Sequence, residues 1–85
     1  MQKLFNKTVE AAINSILLED ELLRADILQF EGALLVVDFI GVDLNLNIKF
    51  CNNKVKLYDE TPLADSTTTI SATIFDFIHV LRELS

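Results

Sequence analysis

The chain carries one cysteine, one proline, two glycines, one histidine and no tryptophan among its 85 residues. Each scarcity excludes something. A single thiol, Cys51, cannot form a disulfide scaffold within the chain, and it fits a reducing compartment such as the cytoplasm. So few glycines and prolines leave few breaks, so the fold should be tight, and no repeat or low-complexity segment is visible. No apolar run approaches the ~20 residues needed to span a bilayer. The opening stretch, Met1 to Lys7, lacks the uninterrupted apolar core of a signal peptide. Basic residues are also sparse, with 7 Lys and Arg against 13 Asp and Glu and a net charge of −6. They are scattered, and only Lys54 and Lys56 lie close together. Nucleic-acid binding depends on clustered cations that release counterions from phosphates, so no nucleic acid is expected. An anionic membrane surface is an equally poor partner. These features describe a soluble, cytoplasmic chain whose residues 1–85 form a single domain.

What the chain has in quantity is apolar side chains, at 51% of residues. In residues 3–17, Phe5, Val9, Ala12, Ile13 and Ile16 recur at helical spacing, with Lys3, Asn6, Lys7, Glu10 and Asn14 on the other face. Asp20 can cap a second helix that runs to about Phe30, carries Leu23, Ile27 and Phe30 inward and ends at Glu31-Gly32. The period then changes. Ala33–Ile40 is apolar on nearly both faces and reads as a central strand covered on both sides. Gly41 marks a turn. From Val42 to Phe50 apolar and polar residues alternate strictly, the signature of a half-buried strand. Asn52-Asn53 is a two-residue hairpin turn, and Lys54–Asp59 is the return strand with Val55 and Leu57 inward. After Thr61-Pro62, Asp65–Ser71 reads as a fourth, threonine-rich strand. Thr73 caps a last helix in which Ile74, Phe77, Ile78, Leu81 and Leu84 share a stripe and Phe75 and Val80 widen it. Helices are segregated from strands. The expected class is α+β: two N-terminal helices, a mainly antiparallel sheet of about four strands, and an apolar C-terminal helix.

No catalytic or metal constellation emerges from this pattern. His79, the sole histidine, and Cys51 are too few to supply the three or four protein ligands of a zinc site. Cys51 closes a strand beside a turn, and no base is evident to activate it. Asp38 interrupts an apolar strand. It reads as a strand-end residue reaching water, with a polar anchor at a pocket mouth as the alternative. Glu19-Asp20-Glu21 reads as a solvated helix start. Ser66 to Thr69 read as strand formers. The chain is therefore not expected to be an enzyme, and no cofactor is implied. The final helix is different. Phe75, Phe77, Ile78, Val80 and Leu81 offer more apolar surface than one sheet face covers, so beyond serving as plain core this helix is a candidate pocket wall or interface.

The residues resemble a family. Two N-terminal helices ending at Leu28-Gln29-Phe30-Glu31-Gly32 lead into a meander that closes at Val55-Lys56-Leu57-Tyr58. Ala64-Asp65-Ser66-Thr67-Thr68-Thr69-Ile70-Ser71 then precedes an apolar helix. This arrangement resembles the sterol carrier protein type 2 fold and is closest to the bacterial ubiquinone biosynthesis accessory factor J group. The similarity spans nearly the whole chain. Members of the family continue into a further strand, so a chain ending at Ser85 reads either as a fragment of a carrier domain or as a short relative. The resemblance implies a non-catalytic lipid-binding accessory factor of ubiquinone biosynthesis. It would hold an isoprenoid-like lipid in an apolar interior and work with the enzymes of a biosynthetic complex. The expected lipid contacts are Phe39, Phe50, Ile74, Phe75, Phe77, Ile78 and Leu81. The rival expectation is an assembly module without a ligand: a homodimer that covers its own free sheet edge and apolar helix.

Overall fold

The N-terminal periodicity is realised as helix α1, Gln2–Glu19, in a computed structural model that describes residues 2–84. Val9 and Leu17 are buried against the sheet, with Phe5 and Ile13 packed beside them. Asp20 adopts an extended backbone conformation and caps α2, Glu21–Ile27, its Oδ1 accepting from the Leu23 N–H at 2.9 Å. Arg24 reaches back from α2, and its guanidinium donates to the carbonyls of Leu17 and Leu18, which the last turn of α1 leaves open. The helix expected to reach Phe30 stops earlier. Leu28–Phe30 is a 3-10 turn, and Gly32, at φ +82°, redirects the chain into the sheet.

Four strands follow: β1 Ala33–Phe39, β2 Asn45–Cys51, β3 Lys54–Tyr58 and β4 Ser66–Ala72. Their order is β3-β2-β1-β4. The first three form an antiparallel meander, and β4 lies parallel to β1. β1 is central and well covered, with Leu34, Val37 and Phe39 buried. Residues 40–44 make the reversal into β2, with Gly41 at φ +86°, so pairing begins at Asp38↔Asn45 rather than at Val42. The alternation continues unbroken through this stretch, but a chain that must fold back on itself needs several residues outside the ladder. Asn52 (φ +53°) and Asn53 (φ +63°) are both left-handed, as a type I′ hairpin requires.

One face of the sheet carries Val37, Phe39, Leu46, Ile48 and Val55, and it packs against α1 and α3, Ile74–Leu84. Thr73 caps α3, its Oγ1 accepting from the Asp76 N–H at 3.1 Å. The crossover from β3 to β4 runs over the opposite face. There Lys49 Nζ donates to the Leu63 carbonyl, and the Thr61 hydroxyl donates to Asn47 Oδ1, which keeps buried Asn47 bonded.

The two sheet edges end differently. Along β3, the polar side chains of α1 occupy the open backbone groups. Asn14 donates to the Val55 carbonyl at 3.0 Å and accepts from its N–H at 2.9 Å, and Glu10 Oε1 accepts from the Leu57 N–H at 2.8 Å. Asn6 is buried and bonds to Asp59. The face of α1 expected to be polar is thus partly a lock on an edge strand. Along β4, every residue except Ala72 is exposed, and among the described residues no strand pairs with its outer edge.

Candidate functional site

The apolar residues of α1 and α3 exceed what the sheet covers, and the excess forms a groove. On α1, Val9, Ile13 and Leu17 point to the sheet, while Ala12 and Ile16, one position aside, are turned toward α3. On α3, Ile74 and Phe77 join the core, while Ile78 and Leu81 face α1. Between the two helices and the turn into α2 lies an open groove of about 800 Å³, with Leu22 and Leu84 completing its apolar wall. No strand residue lines it. The space between sheet and helices, where a lipid-sized interior was expected, is filled with side chains: Val37 and Leu46 are each 0% exposed. The volume falls in the range of small-molecule sites, roughly 300–1,000 Å³.

The expected lipid contacts separate into four groups. Phe39 is core, and Phe77 and Ile74, half-buried, pack against it. Phe39 is 2% exposed and packs edge-on against Phe5 (6.1 Å) and Phe77 (5.5 Å). Phe50 is half-buried at the Phe30 end of the sheet, where it lines a smaller depression of about 230 Å³ with Leu34 and Thr68. Phe75 stands outside the groove and is 84% exposed. Ile78 and Leu81 line the groove. The sequence reading missed the contribution of Ala12, Ile16 and Leu22. Ala12 and Ile16 were visible as members of the α1 stripe, but a stripe does not say which of its edges touches a sheet and which touches another helix.

The groove's polar groups are three consecutive residues of the α1–α2 turn, Glu19, Asp20 and Glu21, together with Ser15 and Arg82. Asp20 is engaged as a helix cap, and Arg24 is turned to the end of α1, 4.0 Å from Glu21. The remaining candidates for chemistry lie apart. His79 is exposed on α3, 3.8 Å from Glu83. Cys51 is half-buried at the end of β2, and Asp38 is exposed. Among the described residues no group of three His, Cys, Asp or Glu side chains is placed to hold a metal ion, and no helix is long and apolar enough to cross a membrane.

Among solved structures, the chain is similar to one described as "UbiJ-SCP2 Ubiquinone synthesis protein", with a TM-score of 0.76 over 92% of this chain and 20% sequence identity. The chain spans 64% of that protein's length. The expected α+β architecture is therefore the observed one, and the sterol-carrier-like fold is shared with that structure. No protein-family model matches the sequence, and no curated protein matches it.

Proposed function

We propose that the chain is a non-catalytic accessory factor of ubiquinone synthesis that shelters the apolar tail of an isoprenoid lipid in the groove between α1 and α3. The observation that carries this reading is an apolar groove of ligand size in a fold shared with a ubiquinone synthesis protein. The physics asks for little more. Each CH₂ moved from water into an apolar surround contributes about 0.8 kcal/mol, so a long tail needs an oily trough and few polar groups. Ile16, Leu22, Ile78 and Leu81 supply that trough, and a tail laid in it would cover side chains now facing water, Leu22 being 80% exposed. The chain works in the cytoplasm alongside enzymes that modify the lipid's head. Native mass spectrometry of the purified protein, followed by organic extraction, tests the reading. An extractable isoprenoid supports it. A protein that carries none and takes up none when offered a prenyl alcohol contradicts it.

The open edge of β4 favours a second reading, a homodimer without ligand. The Ala72 carbonyl accepts from the Ile40 N–H on the β1 side. By strand alternation, Thr67, Thr69 and Ser71 then turn their backbone groups outward. Two copies related by a two-fold axis at Thr69 would exchange those groups in antiparallel register, with Ile70 opposite the partner's Thr68. Thr69→Pro removes an outward N–H without touching the β1 pairing. A dimer in sedimentation that this change converts to a monomer, with no lipid extractable from either, supports the second reading over the first.

A further inference from the structure

We infer that the end of the molecule at which α1 and α3 begin docks on the surface of a net-neutral lipid bilayer. Three elements meet at this end. The Gln2 side chain donates to the Asn45 carbonyl at 3.0 Å, which sets the first turn of α1 beside the start of β2. The Ile40 N–H donates to the Ala72 carbonyl at 2.9 Å, which brings the β1–β2 loop to the end of β4, from which α3 starts. Beneath them Phe39 packs edge-on against Phe5 and Phe77 and closes the core. Beyond that seal the same elements turn large apolar side chains to water: Leu4 is 69% exposed, Ile40 62%, Val42 49% and Phe75 84%. They stand outside the core and outside the groove wall.

Size, shape and charge decide what covers them. At these exposures the side chains leave on the order of 500 Å² of apolar surface in water, against the roughly 800 Å² that each partner contributes to a stable protein pair. A second copy of the chain is therefore poorly matched to this end. The side chains also project from separate elements, two of them from the loop around Gly41, whose Cα faces open space. Such protrusions call for a medium that deforms around each one, and a bilayer interface takes up apolar side chains in that way. Its net charge should be zero. Asp43 and Asp76 adjoin Val42 and Phe75, against Lys3 beside Leu4, and an anionic leaflet repels that excess. The seam between the helices leads inward from here. The stripe of α1 that carries Leu4 also carries Ser15, and the stripe of α3 that carries Phe75 also carries Ile78 and Arg82, all of them groove residues. A tail leaving the bilayer would enter the groove from this end, a support that rests on the function proposed above.

The test is co-sedimentation of the full chain with sucrose-loaded phosphatidylcholine vesicles at physiological salt, with no isoprenoid added. The inference expects saturable binding that weakens severalfold when about a third of the lipid is replaced by phosphatidylglycerol. Phe75→Ser should weaken binding about tenfold, and Ile40→Ser combined with Val42→Ser should also weaken it. These positions are exposed, so circular dichroism and melting should stay those of the parent. Val80→Ser, exposed on another face of α3, should bind as the parent does. A chain that stays in the supernatant, binding that Phe75→Ser leaves intact, or binding that phosphatidylglycerol does not weaken overturns the inference. So does a dimer in sedimentation velocity that Phe75→Ser dissolves, because a second copy then covers this end. Each of these results leaves the proposed function standing, since extraction of an isoprenoid from the purified protein tests that reading without any vesicle.

Discussion

Replacing Asn14 with alanine should cost this fold more than a half-exposed helix asparagine ordinarily would. Alanine is the better helix former, so on propensity alone the change would stabilise α1 by a few tenths of a kcal/mol. The structure predicts the opposite sign. Asn14 makes two bonds to one residue on the β3 edge, donating to the Val55 carbonyl at 3.0 Å and accepting from its N–H at 2.9 Å. Val55 is itself buried, at 3% exposure. Each bond contributes about 1 kcal/mol net, and a buried backbone group left without a partner costs about 1–3 kcal/mol. Asn14 borders shallow surface depressions, so water can reach part of the vacated site and hold the penalty toward the lower end. The expected loss is about 2 kcal/mol, equivalent to a fall in Tm of roughly 8–16 °C for a domain of this size. Urea unfolding gives the free energy, and Glu60→Ala, at an exposed loop position, is the control. Light scattering on the same samples should rise for Asn14→Ala alone, because an unlocked β3 edge is a template for pairing. An Asn14→Ala protein within 0.5 kcal/mol of the parent (the size of an ordinary surface change) would mean that α1 does not protect this edge.

Three further substitutions probe other joints of the fold. Phe77→Asp places a carboxylate against Phe39, 5.5 Å away, and should remove more than about 3 kcal/mol of stability; near-native near-ultraviolet and far-ultraviolet circular dichroism with unchanged melting would show that α3 presents another face to the sheet. Asn53→Pro asks for φ near −65° where the chain holds +63°, so the hairpin should open and the urea midpoint fall; an unmoved midpoint would relocate the turn. Gly32→Ala combines a left-handed φ of +82° with a Cβ directed at the Asp65 carboxylate, so it should destabilise by at least about 1 kcal/mol, and Gly32→Ala combined with Asp65→Ala should recover part of that loss in thermal melts.

Much of this architecture could be read from residue order, and the reasons differ by element. The Asn52-Asn53 hairpin was legible because consecutive asparagines between alternating strands have a specific backbone consequence, and both residues adopt the left-handed conformation that consequence demands. The caps at Asp20 and Thr73 were legible because their side chains satisfy groups within the next few residues. What could not be read was long-range. Nothing in Ser66–Ala72 announces that β4 pairs parallel to β1, since that pairing is set by a crossover whose path depends on Lys49 and Asn47 gripping the 59–65 segment. Nor do Asn6, Glu10 and Asn14 announce that they bond to β3 rather than to water, because a polar helix face looks the same in either role. The site shows the same limit. The oversupply of apolar residues on α3 was visible, but its division into residues packed against the core (Ile74, Phe77), groove wall (Ile78, Leu81) and exposed surface (Phe75) depends on where α1 sits beside it.

The claim on which the functional account rests is that a lipid tail lies between the two helices and not within the sheet-facing core. Methyl-resolved NMR of the isoleucine and leucine side chains during titration with geranylgeraniol addresses it directly. Saturable shifts at Ile16, Leu22, Ile78, Leu81 and Leu84, with Ile48 and Leu46 unmoved, are the predicted result. Shifts centred on Ile48 and Leu46, or none at any methyl while the ligand is demonstrably in solution, would contradict it.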